Sequence, residues 1–215
     1  MESLLTISLF LSSISTGYAL SCVHCRVEEE NFCTGQEKRC PTWGDFVCAS
    51  TSTLTIMEGF TRKTFSRSCE MRSSCGIAGS IGYQKGKIKT STTCCHADNC
   101  IPSTPVLPTE NMQRVGLTCR SCTALDSKWC YTDETMECTG EEKRCILQST
   151  TLSGSKSGTT TVRGCATKNL CDIGSQTHNF GDVQMRTDIT CTSGAISLHH
   201  FVLLFFPVLL VVKLI

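Results

Sequence analysis

The stretch Cys94-Cys95-His96-Ala97-Asp98-Asn99-Cys100 decides how the rest of the chain is read. A disulfide needs its Cα atoms about 4.4–6.8 Å apart and its Cβ vectors aimed at each other, which two adjacent cysteines do not comfortably offer. Cys94 and Cys95 must therefore reach different partners. Cys95 can close a small loop onto Cys100, and Cys94 has to go back up the chain. Working outward, Cys22, Cys25, Cys33, Cys40, Cys48, Cys69 and Cys75 complete a set of ten, an even number. Such a set is a disulfide framework in an oxidising compartment, and a metal or redox cluster in a reducing one.

The N-terminus decides the compartment. Leu4–Ile14 is a short, uncharged apolar run, and Gly17-Tyr18-Ala19 places small residues at the −3 and −1 positions of a cut after Ala19. Residues 1–19 are expected to be a cleaved secretory signal peptide. The competing reading is a buried N-terminal helix, and the run is short for one. Eighteen cysteines in 215 residues fit a secreted disulfide scaffold. The net charge of +1 gives no electrostatic case for nucleic acid. Much of the apolar content sits at the two ends, so what lies between needs covalent staples beside a small core.

An internal repeat sets the organisation. Cys22, Cys25, Cys33, Cys40, Cys48, Cys69, Cys75 and Cys94 recur 96 to 98 residues later as Cys119, Cys122, Cys130, Cys138, Cys145, Cys165, Cys171 and Cys191. Leu20-Ser21-Cys22-Val23-His24-Cys25 has its counterpart in Leu117-Thr118-Cys119-Arg120-Ser121-Cys122. The second copy lacks Cys95 and Cys100, so the copies hold ten and eight cysteines, and no thiol need be left over. Pro102, Pro105 and Pro108 mark residues 101–116 as an extended, semi-rigid linker. Domains are expected over residues 20–100 and 117–192.

Within each copy the pattern is β. Val47–Ile56 is rich in Thr, Ser and Val and pairs naturally with Phe60–Ser68 across Met57-Glu58-Gly59. Ile88–Cys94 is a further strand. In the second copy Leu147–Leu152 and Thr159–Arg163 flank a flexible hairpin tip at residues 153–158, and Val183–Cys191 is the last strand. No segment before residue 195 carries a long 3.6-residue apolar period. Gly76-Ile77-Ala78-Gly79-Ser80-Ile81-Gly82 matches neither dinucleotide nor P-loop spacing and is expected to be a mobile finger.

The order C-x2-C, then three single cysteines, then two more, and finally C-C-x-x-D-x-C resembles the lymphocyte antigen-6/urokinase-receptor (LU) three-finger domain family. The first copy matches all ten cysteines and the second matches eight. Ile101 stands where the family usually has Asn after the last cysteine, with Asp98 in place and Asn99 beside it. The resemblance implies an all-β, small disulfide-rich fold of two tandem three-finger (snake-toxin-like) domains. It also implies a pairing that spacing leaves open. In the first domain the pairs are Cys22–Cys48, Cys25–Cys33, Cys40–Cys69, Cys75–Cys94 and Cys95–Cys100. In the second they are Cys119–Cys145, Cys122–Cys130, Cys138–Cys165 and Cys171–Cys191.

The C-terminus, residues 193–215, combines Ser193-Gly194-Ala195, a short spacer and an apolar tail from Phe201. This is the pattern of a GPI-attachment signal, with Ser193 as attachment site or Gly194 next. The alternative is a membrane helix, but residues 201–215 are short of the ~20 needed to span and Pro207 interrupts them.

Chemistry has few candidates. The two C-x2-C pairs suit zinc or redox work in principle, but in a secreted repeat they are structural. His24 and His96 lie beside cysteines, yet oxidised cysteines leave no thiolate to activate. No paired carboxylates define a cleft, and there is no Asn-x-Ser/Thr sequon. No enzyme activity, cofactor or metal is expected. Arg62, Lys63 and Arg67, with Lys85, Lys87 and Lys89, fall in the second and third loops of the first domain. Such a set is an ordinary solvated face or a binding surface for an acidic extracellular protein or glycan.

Two functions follow. One is a GPI-anchored cell-surface binding, adhesion or receptor-like protein that presents stapled loops to an extracellular protein ligand, attached to the membrane through its lipid. The other is a secreted inhibitor similar to the gamma-type phospholipase inhibitors, which pair a ten-cysteine domain with one lacking the final cysteine pair.

Overall fold

The computed structural model describes residues 20–180 and 182–193. The expected signal peptide, Gly194 and the apolar tail lie outside the described residues. Among the described residues no helix is long and apolar enough to cross a membrane.

The protein is nearly all β. Three hairpins make the first domain: β1 (Ser21–Glu28) with β2 (Gln36–Arg39), β3 (Phe46–Met57) with β4 (Phe60–Met71), and β5 (Ala78–Tyr83) with β6 (Gly86–Cys95). Thr51, Thr53 and Thr55 alternate along β3, with Val47 and Ile56 near its ends, and branched side chains suit a pleated surface. The Thr51 and Thr92 hydroxyls meet across the β3–β6 ladder at 3.1 Å, and those of Thr53 and Thr90 at 3.3 Å. The β3–β4 turn closes through Glu58 and Gly59, and Gly59 takes a φ of 74° that only glycine adopts freely.

The second domain repeats the plan with a broken first finger. β7 (Arg114–Arg120) pairs with β9 (Thr135–Thr139), while β8 (Cys122–Leu125) pairs with β11 (Gly158–Ala166). β10 (Arg144–Gly154) pairs with β11 on one side and with β13 (Val183–Thr192) on the other. β12 (Gln176–Phe180) lies against β13. A short helix, α1 (Lys168–Asp172), follows β11.

Each domain is stapled around cysteines. All eighteen lie in the described residues, and each is in a disulfide. The structure joins Cys22–Cys48, Cys25–Cys33, Cys40–Cys69, Cys75–Cys94 and Cys95–Cys100 in the first domain. It joins Cys119–Cys145, Cys122–Cys130, Cys138–Cys165 and Cys171–Cys191 in the second. Cys22, Cys40 and Cys48 pack as one buried cluster, and Cys119, Cys138 and Cys165 as another. The cysteine-pair loop ties back to the first strand. The Ser21 amide donates to Asp98 at 2.7 Å, the Asn99 amide donates to the Ser21 carbonyl at 2.8 Å, and the Asn99 side chain donates to Glu37 at 2.8 Å. Asp98 and Asn99 thus close the first finger, while Ile101 stays exposed.

One expectation is corrected. The glycine-rich stretch before residue 83 is no mobile finger: residues 79–83 of β5 are all buried. The segment expected to be a connector over residues 101–116 is not free of the first domain. Pro102 and Pro105 are buried, and the Pro102 carbonyl accepts from Ser50 at 3.4 Å. The Pro108 carbonyl accepts from Lys89 at 3.2 Å. Proline's fixed φ keeps this segment extended, so it lies along the strands as a strap.

The two domains share one sheet, with strands in the order β12-β13-β10-β11-β5-β6-β3-β4-β1-β2. The join is β5 against β11, with Gly82 opposite Cys165 and Ile81 opposite Ala166.

Candidate ligand surface at the domain junction

The junction is built from small residues that let backbones close up. A Cβ on Gly164 would fall on the Gly82 carbonyl oxygen, and one on Gly79 would fall on the Thr167 hydroxyl. A Cβ on Gly82 would lie 2.7 Å from Glu142 Oε2. Here glycine serves close approach. Around it, Ile81 and Tyr83 of the first domain pack with Ile146, Val162, Ala166 and Leu170 of the second. Polar groups complete the seam. The Thr167 amide donates to the Ser80 carbonyl at 3.0 Å, the Ser80 hydroxyl donates to Glu142 at 2.6 Å, and the Gln84 amide donates to Ser121 at 2.6 Å.

The six basic residues separate sharply. Arg67 is 5% exposed. Its guanidinium donates to the Cys33 carbonyl at 2.8 Å and to Ser50 at 3.3 Å, and sits 4.4 Å from the Phe32 ring centroid. Such a site uses a planar cation as an internal brace. Lys89 is 8% exposed and pairs with Glu110 of the strap at 2.6 Å. Lys87 bridges Glu110 at 2.8 Å and Glu142 of the second domain at 3.1 Å. Burial disfavours the Lys87 charge, but its hydrogen bonds and attraction to Glu110 and Glu142 outweigh that and hold its pKa above the ordinary lysine value. The same contacts from Lys87 and Lys89 hold the Glu110 carboxyl below its ordinary range. Arg67, Lys87 and Lys89 are therefore not an open ligand surface, since three of the predicted six point into packing contacts. Arg62 remains exposed and pairs with Glu28, Lys63 is half-buried, and Lys85 is exposed.

A groove of about 480 Å³ opens elsewhere on the junction. Phe46 and Met71 of the first domain and Ile173 of the second supply its apolar wall. Trp43, 76% exposed, meets Phe46 edge to face at 5.0 Å between ring centroids. Lys38 and Arg39 stand on β2, whose four residues are all exposed. His24 lines the groove beside the Cys40–Cys69 bridge, where its Nε2 lies 3.3 Å from the Cys69 amide that donates to it. Burial first and the charge of Lys38 second push the His24 pKa below its ordinary 6.5. Glu70 is engaged by Ser68, whose hydroxyl donates at 2.8 Å, and by His178 at 3.6 Å. Sequence reasoning passed over Trp43, Lys38 and Arg39. The cue was an aromatic residue between Cys40 and Cys48 with two cations just before it, and the opposing wall comes from the other domain.

Comparison with known proteins identifies the architecture. The u-PAR/Ly-6 domain matches this chain twice, over residues 18–103 and 115–199. The chain belongs to the u-PAR/Ly-6 family. Its relatives in this family include the phospholipase A2 inhibitor NAI of Notechis ater, 28% identical over 187 residues, which span 80% of this chain and 86% of the inhibitor. A 25 kDa phospholipase A2 inhibitor component of Naja kaouthia is 24% identical over 173 residues, 74% of this chain and 91% of that protein. The urokinase plasminogen activator surface receptor of Rattus norvegicus is 29% identical over 122 residues, 56% of this chain and 36% of the receptor. This u-PAR/Ly-6 protein, like those inhibitors and that receptor, is not an enzyme.

Proposed function

We propose that this protein is a cell-surface binding protein, secreted behind a cleaved signal peptide and held by a GPI anchor at Ser193 or Gly194, that presents its stapled fingers to an extracellular protein. The observation that supports this reading best is the apolar cluster shared by Ile81 and Tyr83 with Ile146, Val162, Ala166 and Leu170. It makes one body of two domains, so loops from both keep fixed relative positions, and fixed positions cut the ordering cost of binding. The exposed aromatic and basic side chains around the groove are of the kind that anchors protein interfaces. Ser193 is exposed just past β13, where a lipid-linked end has room.

The test is release. Phosphatidylinositol-specific phospholipase C is expected to free the protein from intact cells, with a C-terminus at Ser193 or Gly194, and deletion of residues 201–215 is expected to give a freely secreted protein. Retention after enzyme treatment, with Lys213 still in the mature chain, points to a short membrane helix and sinks the anchor.

A second reading is inhibition of a secreted phospholipase A2, favoured by the coverage of 80% of this chain by one such inhibitor. Loss of phospholipase A2 activity on adding the purified protein in stoichiometric amounts supports it, and unchanged turnover at excess protein removes it.

A further inference from the structure

We infer that the junction groove is a docking slot for an extended, acidic polypeptide segment of an extracellular protein, with a bulky apolar side chain of that segment seated against Trp43 and Met71. The inference deepens the binding reading above and rests on it.

Charge sets the sign of the occupant. Lys38 and Arg39 line the groove, and among the described residues neither makes an ion pair. Among the described residues the one acidic side chain in the lining, Glu70, is already held by Ser68 and His178. The slot therefore favours carboxylates. Its wall sets the second requirement. Phe46, Met71 and Ile173 are apolar, and Trp43 stands at the mouth with most of its ring in water. A large side chain laid on that wall removes apolar surface from solvent on both partners.

Backbone geometry sets the third. Among the described residues β2 and β12 are the two ends of the sheet order, each paired with a single neighbour, and both line this one groove. A terminal strand carries a row of backbone donors and acceptors that an extended chain can satisfy by adding as a further strand. A compact ligand does not use that row. The groove is also open, with Met71 38% exposed as well as Trp43, which suits a passing chain better than an acyl tail that needs enclosure.

The chain has two tryptophans, so Trp129→Phe leaves Trp43 as the sole indole reporter. The probe is a capped ten-residue peptide alternating glutamate with phenylalanine, titrated into purified mature Trp129→Phe protein. Saturable change of Trp43 emission is expected, with amide shifts along β12. Affinity is expected to fall about tenfold in the Lys38→Glu/Arg39→Glu double variant and to weaken with added salt. Lysine in place of glutamate in the peptide is expected to abolish the response. No response, an equal response to the lysine peptide, or indifference to the charge reversal overturns the proposal. So does a response to sodium laurate alone, which assigns the groove to an amphiphile. Sedimentation that shows a dimer dissociated by the peptide also overturns it, because the occupant is then a second copy. If Lys38→Glu/Arg39→Glu protein still captures the extracellular protein that the wild type captures, the slot is refuted and the binding function stands. If wild-type protein captures none, it is that function which fails.

Discussion

His24 shows how much a residue's meaning depends on what surrounds it. In the sequence it is a histidine three residues after Ser21, between Cys22 and Cys25, where a cysteine–histidine dyad comes to mind. In the structure its Nε2 accepts from the Cys69 amide at 3.3 Å, next to the Cys40–Cys69 bridge. Protonation of Nε2 would remove that acceptor. Burial and Lys38 hold the folded pKa below 6.5. The unfolded chain therefore binds the proton more readily. Stability from this group is complete above the unfolded pKa, declines as pH falls below about 6.5, and levels off beneath the folded pKa. Urea unfolding between pH 7.5 and 5 is expected to show this loss, at no more than about 1.4 kcal/mol per pH unit. His24→Gln, which keeps an acceptor and cannot titrate, is expected to flatten that part of the profile; an unchanged slope assigns the loss to other groups. The basic residues teach the same lesson. Residue type and loop position marked all six as one surface, but Glu110 and Glu142, which take Lys87 and Lys89 out of it, come from the strap and the other domain.

At the scale of elements, the strands announced themselves through Thr, Val and Ile, and β3, β6, β10, β11 and β13 appear where those residues cluster, with β4 as the partner of β3 across the turn at residues 57–59. β5 did not, because Gly79 and Gly82 are in that strand for closeness to a neighbour that composition does not reveal. The proline segment was legible as extended but not as a strap, since its hydrogen bonds go to side chains of β3 and β6 far back in the chain. Staples can be ranked by the loops they close. Cys95–Cys100 spans 5 residues and Cys75–Cys94 spans 19, both at the end of the third finger. In the chain-entropy account, opening the first costs about 2 kcal/mol and the second about 3 kcal/mol. Denaturant titration of Cys95→Ser/Cys100→Ser and Cys75→Ser/Cys94→Ser proteins is expected to give that order, with the second pair also exported less well. If the short loop proves the costlier to open, native contacts of Asp98 and Asn99 with the first finger, rather than chain entropy, dominate there.

For the whole molecule, the 96-to-98-residue repeat stated the domain count, yet it could not state the arrangement. The junction joins unlike parts of the two copies, the third-finger strand β5 of one and the second-finger strand β11 of the other. A repeat carries no signal for such a contact. The arrangement has a consequence for motion. The apolar cluster, the two-residue β bridge, the Ser80–Glu142 and Gln84–Ser121 hydrogen bonds and the Lys87–Glu142 pair all cross the junction. Tandem domains with small polar contacts move relative to each other by default, and a shared apolar core removes that freedom. Backbone relaxation is accordingly expected to fit a single rotational diffusion tensor for both domains. Gly164→Val is the sharp perturbation. Its side chain would have to occupy the position of the Gly82 carbonyl oxygen, while the disulfides of each domain stay closed. In that variant two independent tensors are expected, together with loss of the Lys87–Glu142 pair, while the strap stays on the first domain through Lys87, Lys89 and Ser50. A wild-type protein that already needs two tensors contradicts the one-body architecture, and with it the claim that both domains present a single fixed surface.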